Sequence, residues 1–274
     1  SNALFGLVVG GGLAAAPFIL GSLGDDWRST IHSFGILFVV LSVLWIFLGR
    51  DRRTVDRPGG PVPQEKGRDG RVVWGTLSYR DLWVGGFGFL GATMVWSAFL
   101  SFFPTLMLDS YDIGLRWSGA MLALSVLVGG GAGLGLSYWV RATNQGKPVL
   151  QVLGVLLAGT NLGLALTGSI PLLVGLSLVN GVAWGFWPIL YTIPFHLPGI
   201  RPRQVAVGLA FTTMMTSAGI ALGPLVTGFL QEILGGLRPA LIIVSFSGLS
   251  LSAAGLLLSP DIASLRGSAS EPAR

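Results

Sequence analysis

Residues 50–80 read RDRRTVDRPGGPVPQEKGRDGRVVWGTLSYR, a run that holds eight of the seventeen basic residues in the chain. It is the one long stretch that is plainly at home in water. On both sides the sequence turns apolar in runs of roughly 20 residues, the length a helix needs to cross the hydrocarbon of a bilayer. Eight such runs occur, at 4–24, 30–48, 82–108, 117–140, 149–168, 170–195, 204–234 and 238–258. Turn and charge signals separate them, the weakest being Gly168, Ser169 and Pro171 between the fifth and sixth.

The composition agrees with this division. Hydrophobic residues make up 51% and charged residues 11% of the chain, with a mean hydropathy of +0.72, whereas a soluble domain carries about 25% charged residues. The 42 glycines fit membrane helices, where small residues let neighbouring backbones approach closely. The fold class is therefore an all-α polytopic membrane protein, with the lipid bilayer as its first partner. The net charge of +5 does not point to nucleic acid, because the basic residues lie between apolar runs and form no stripe with interleaved aromatics.

Several chemistries drop out. The chain has no cysteine, which excludes disulfides, thiolate metal sites and cysteine nucleophiles. His32 and His196 have no metal-ligand spacing, so neither a metal nor a cofactor is expected, and no nucleophile, base and orienting group occur together as an enzyme would need. The run Gly129-Gly130-Gly131-Ala132-Gly133-Leu134-Gly135 lacks the Lys-Ser/Thr ending of a phosphate loop and lies inside an apolar span. Close helix packing or a pivot is the better reading.

Basic residues fix the orientation. With the N-terminus inside, fourteen of the seventeen fall in inside segments and only Arg28, Arg116 and Arg238 fall outside. This is the bias expected of cytoplasmic loops. It places both termini of the chain and the 50–80 loop in the cytoplasm of a multi-pass protein of the cell's inner membrane. Pro58, Gly59, Gly60, Pro61 and Pro63 exclude a regular helix or strand at the centre of the loop, which reads as a flexible linker. Residues 72–77 have a pattern suited to amphipathic surface contact. The chain opens Ser1-Asn2-Ala3 without an initiating Met, and a fragment is expected.

An internal repeat sets the architecture. Gly12, Pro17 and Gly21 occur in GLAAAPFILG of the first span, and Gly219, Pro224 and Gly228 occur in GIALGPLVTG of the seventh, each pair 207 positions apart. A glycine, a short break and an arginine follow each set, and then another apolar run. An even number of spans separates the two copies, so the repeat is parallel. Spans one and two, and seven and eight, thus read as equivalent ends of two repeated halves on either side of the loop.

That arrangement resembles the major facilitator superfamily, in which two six-helix bundles related by a parallel repeat are joined by a long cytoplasmic loop. The resemblance covers the chain as family helices 5 to 12, giving eight transmembrane helices. Residues 1–49 would be the last two helices of the N-terminal bundle, 50–80 the inter-bundle loop, 81–259 a complete six-helix C-terminal bundle, and 260–274 a disordered cytoplasmic tail. Gly12, Pro17 and Gly21 match the family's glycine-proline motif of helix 5, with Ala16 and Leu20 as departures. Gly219, Gly223, Pro224 and Gly228 match it in helix 11, with Thr227 as the departure. A second family motif between helices 8 and 9 survives as Gly135, Arg141, Gly146 and Lys147. Its carboxylate is missing, since no Asp or Glu lies between Asp112 and Glu232, which removes the charge latch that the motif implies. The resemblance implies secondary transport of a small solute by alternating access, coupled to a proton or sodium ion, in a protein that is monomeric at full length.

For the solute itself, the sixth span is the most informative. Asn180, Trp184, Trp187 and Tyr191 follow i, i+4, i+7 and i+11, one face of a helix. An amide followed by three amphipathic aromatics suits a wet cavity wall, though the same face also suits helix packing or an interfacial belt. By the resemblance, the first helix of each three-helix unit faces the pathway, which adds Trp96 and Ser101 of the third span; Thr212, Thr213 and Met214 of the seventh stand beside them. No ionisable residue lies near the centre of the third to eighth spans. A neutral, aromatic half-site of this kind fits an amphipathic organic solute, or an organic anion whose counter-charge lies elsewhere. A receptor or scaffold that binds without transporting is the alternative, and an intramembrane enzyme a more remote one.

Overall fold

A computed structural model describes residues 69–143 and 145–259, together with the helical positions 32, 35, 36, 39, 40 and 42–44 of the second predicted span. The first span, with Gly12, Pro17 and Gly21, and the tail at 260–274 lie outside the described residues. A short helix α1 (Asp69–Leu77) leads into six helices long and apolar enough to cross a membrane. These are α2 (Arg80–Tyr111), α3 (Leu115–Thr143), α4 (Gly146–Leu166), α5 (Ile170–Phe195), α6 (Pro202–Leu234) and α7 (Leu237–Leu257). All six fall on the third to eighth predicted spans. At 32 and 33 residues, α2 and α6 exceed the roughly 20 that the hydrocarbon requires, so their ends reach into the headgroup layer or beyond.

Local chemistry sets the ends. Asp112 closes α2 in the left-handed conformation, φ 54°, its N–H donating to Leu108 O at 3.2 Å while the Ile113 N–H donates to Met107 O at 3.0 Å. This paired pattern satisfies carbonyls that the end of a helix leaves open. Gly235, φ 69°, closes α6 in the same conformation at the low steric cost available to glycine. At the start of α6, Pro202 fills the first turn and the Arg201 N–H donates to Gln204 Oε1 at 3.0 Å.

Short turns make successive helices run up and down, and small residues decide which of them touch. α2, the most buried span, lies parallel to α6 and antiparallel to α7. Gly219 and Gly223 of α6 meet α2 at Thr93 and Ser97, where an added Cβ would strike the Leu90 and Met94 carbonyl oxygens. Across the other side of α2, Ser247 and Ser250 of α7 donate to Gly91 O at 3.0 Å and Gly88 O at 3.1 Å. α3 pairs with α5, where Ser125 Oγ donates to Ser177 O at 2.9 Å. α4 pairs with α7, where Ser252 Oγ donates to Gln151 O at 2.6 Å. Hydroxyls that reach a neighbour's carbonyl are satisfied without water, as the membrane interior demands.

Two spans are interrupted. α5 passes through a 3-10 turn at Trp184–Phe186, and α7 through one at Phe246–Gly248. In α5 the cause is Pro188: it has no N–H to give, and its ring would clash with the carbonyl four residues back, at Trp184. A tighter turn resolves the conflict. Pro194 lies within the second 3-10 turn, Ile193–Phe195, at the end of the span. Pro224, in contrast, sits within an unbroken helical stretch of α6.

The 50–80 loop also contains structure at its downstream end. α1 covers residues 72–77, whose amphipathic pattern suits surface contact, and packs against α6. Its Thr76 is fully buried while Trp74 is 76% exposed. Tyr79 Oη donates to Pro198 O at 3.0 Å, and Trp83 Nε1 donates to Leu77 O at 2.8 Å, which ties the α1–α2 junction to the bundle.

Candidate functional site

The residues singled out on the sixth span gather in the bundle interior. Trp184 Nε1 donates to Asn180 Oδ1 at 3.0 Å, and Asn180 Nδ2 donates to Thr160 Oγ1 of α4 at 2.8 Å. Thr160 passes the chain on to Leu156 O at 2.6 Å. Asn180 and Trp184 are 5% and 7% exposed, so this relay is buried and each bond in it replaces one that water would otherwise supply. The next residue of α4, Asn161, donates from Nδ2 to Leu157 O at 2.7 Å.

Around the relay lies a box of aromatic rings. The 3-10 turn brings residues three apart into line, so Trp184 and Trp187 stand 6.4 Å apart, and Trp187 stacks on Tyr191 at 6.0 Å. Trp96 of α2 lies 5.6 Å from Trp184 and 6.5 Å from Trp187. Phe89, fully buried on α2, makes edge contacts with Phe186, Trp187 and Tyr191 at 5.8, 5.4 and 4.9 Å. Such edge and offset arrangements are the ones the ring quadrupole favours. Trp187, Tyr191 and Trp96 are half-buried, and they form the part of the box that is still accessible.

The remaining predicted residues divide by depth. Thr212 is buried and donates to Gly208 O at 3.0 Å, a local helix contact. Thr213, Met214 and Ser101 are exposed, as are Phe87 and Trp83 of α2. Trp96 and Ser101 thus face different ways, and so do Thr212 and its two neighbours: successive helical residues are about 100° apart. Within the glycine motif, Gly219 and Gly223 are packed on α2, while Gly228 has open space around it. Arg141 is exposed and Lys147 half-buried at the α3–α4 turn, and Gly135 also faces open space. In the glycine run of α3, Gly129 and Gly133 pack on α5, while Gly130 and Gly131 do not touch it.

Phe89, Phe186 and Thr160 belong to the site and were not singled out from the sequence. Phe89 had a signal, since it lies seven residues before Trp96 and so on the same face of α2. Thr160 had none, because its role depends on the pairing of α4 with α5. Among the described residues there is no group of His, Asp or Glu that could hold a metal ion.

Comparison with known proteins gives a consistent result. A family model described as Major Facilitator Superfamily matches residues 1–214. A protein named as a probable L-galactonate transporter, from Escherichia coli strain K12, is 23% identical over 256 residues, or 85% of this chain and 55% of its own length. Monocarboxylate transporter 11 of Homo sapiens is 30% identical over 154 residues, or 52% of this chain and 32% of its own length. The chain thus spans about half the length, or less, of these curated relatives. An all-helical membrane bundle, a glycine-proline motif packed between α2 and α6, and a family match over most of the sequence lead to one conclusion: the chain belongs to the major facilitator superfamily.

Proposed function

We propose that this chain forms part of a secondary transporter that moves an organic carboxylate across the membrane by alternating access. The observation that carries the reading is the half-buried aromatic box of Trp96, Trp187 and Tyr191, backed by the Trp184–Asn180–Thr160 relay. Rings held by packing and hydrogen bonds present a stiff apolar wall to a solute, and little entropy is lost when the solute binds. The Tyr191 hydroxyl and Trp187 indole N–H supply donors suited to a carboxylate or hydroxyl oxygen. Both relatives are named as carriers of acids, one for a galactonate and one for monocarboxylates. Every Lys and Arg from Arg80 to Leu257 lies near a helix end, so the counter-charge for an anion comes from outside the centres of these six helices.

Access alternates as one bundle rocks against another, with the solute held between them. Coupling to a proton or sodium ion requires an ionisable group at depth, and that group is likewise outside the centres of α2–α7. The test is uptake of a panel of sugar acids and short monocarboxylates into proteoliposomes carrying the full-length protein. Uptake should fall at least tenfold in Trp187→Ala and Tyr191→Ala, with each variant still monodisperse in detergent. Unchanged uptake in both would remove the aromatic box from the pathway, and no uptake of any organic acid by the parent protein would remove the substrate class.

A further inference from the structure

Where α2, α3, α4 and α5 meet, a small cavity of about 20 Å³ lies beside the aromatic box, lined among others by Trp96, Ser125, Asn161, Asn180 and Trp184. A cavity needs about 10–15 Å³ of such space to admit one water molecule, which must then find two to four polar partners. Both conditions are met here. Asn161 is 2% exposed, and its amide orientation is determined: only its NH2 group can face the Leu157 carbonyl, to which it donates at 2.7 Å. The other end of the amide, Oδ1, has no hydrogen-bond partner among the described residues. Asn180 uses Oδ1 for Trp184 and one hydrogen of Nδ2 for Thr160, which leaves its second N–H free. Ser125 Oγ donates to Ser177 O and keeps its lone pairs.

From this geometry we infer that the four-helix junction is a buried hydration site for a single water molecule. The water donates to Asn161 Oδ1 and to Ser125 Oγ and accepts from Asn180 Nδ2. It links α3, α4 and α5 at the level of Trp184, and it gives the Asn161 amide oxygen, which no described side chain or backbone group meets, a partner inside the cavity. The cavity borders the aromatic box through Trp96, Asn180 and Trp184, but it is too small for an organic acid, and the inference stands whether or not the transport reading holds. A cation is disfavoured because Asn161 brings one neutral oxygen and no carboxylate lies near.

Two measurements test it. A density map of the full-length protein, at a resolution that shows ordered waters, should contain one peak within hydrogen-bond distance of Asn161 Oδ1. That peak should vanish in Asn161→Leu, whose side chain fills the space. A continuous void, or a side chain closing over Asn161, would overturn the inference. Thermal melting in detergent is the second readout. If the site is hydrated, Asn161→Leu displaces a water that also serves Asn180 and Ser125, and the melting temperature falls by several degrees. If the site is dry, leucine removes only an amide whose one bond is to its own helix, and the melting temperature holds or rises, which would also overturn the inference.

Discussion

Replacing Gly223 with alanine adds one methyl group where α6 crosses α2, and the surroundings leave it no room. A Cβ there would strike Ser97 Oγ and the Met94 carbonyl oxygen and lie 2.9 Å from the Ala98 nitrogen. Two of these three are backbone atoms, so no side-chain rotation relieves the clash. The helices must part by roughly an ångström, and such overpacking costs about 1–3 kcal/mol. Parting them also stretches Thr93 Oγ1 to Thr216 O, now 3.2 Å, and Ser97 Oγ to Gly219 O, now 3.5 Å. Hydrogen bonds between membrane helices average about 0.6 kcal/mol each. Against this loss, alanine improves the helix by about 1 kcal/mol relative to glycine. The net is a destabilisation of about 1–3 kcal/mol, or a fall of about 5 °C in melting temperature at roughly 2–4 °C per kcal/mol. The control is Gly228→Ala, one further residue of the same motif, where a Cβ meets nothing within 4 Å. It gains the helix term alone and should melt at the parent temperature or slightly above. The assay is thermal unfolding of both variants in one detergent, followed by tryptophan fluorescence. If Gly223→Ala melts with Gly228→Ala, the α2–α6 contact is looser than described and the packing role of the motif fails.

Trp184→Phe keeps the ring but removes the N–H that donates to Asn180 Oδ1, and it should lower the melting temperature by about 2 °C, the worth of a bond of roughly 0.6 kcal/mol. Asp112→Gly relieves a non-glycine residue at φ 54° and should stabilise by about 0.5 kcal/mol, seen as a small upward shift in the same melting assay. Pro188→Ala restores an N–H and lets an unbroken α-helix run through Trp184–Phe186, which rotates Trp184 away from Trp187. Uptake should then fall while the melting temperature holds or rises, and preserved uptake would show that the 3-10 turn is dispensable.

Six spans could be read from hydropathy because the bilayer imposes one length on every crossing helix. The interior of the site could not, since hydropathy does not say which way a buried face turns. Asn180 and Trp184 share a face, as their spacing predicts, and that face is directed into the bundle, where Thr160 and Trp96 receive it. Two further signals lie in the residues themselves. Pro188, six residues before Pro194, marks a break in what reads as one continuous span. Thr212, Thr213 and Met214 are consecutive, and three consecutive helical residues cannot line one wall. α1 is a different case: Gly70 and Gly75 weaken it as an isolated helix, so the amphipathic pattern at 72–77 becomes a helix through its contact with α6.

On the transport reading, the contacts within the bundle also constrain how it can move. α2 meets α6 through Gly219 and Gly223, and α7 through Gly88 and Gly91, with backbone against side-chain hydroxyl or carbonyl in each case. Contacts this close have no slack in which helices can slide, so α2, α6 and α7 move as one body. α4 joins them through Gly154 and Gly255. α5 is different. It is broken at Trp184–Phe186, carries both the relay and the aromatic box, and reaches α4 through the Asn180–Thr160 bond and side-chain packing of Gly163 against Leu176. A solute pressing on Trp187 or Tyr191 would therefore act on α5 together with α3, on which α5 packs closely at Gly181 and Gly185, and its effect would reach α4 through Asn180. A double-mutant cycle between Asn180→Ala and Thr160→Ala is the way to measure that link: non-additive losses of uptake mean that the bond transmits solute binding, and additive losses mean that it only holds two helices together.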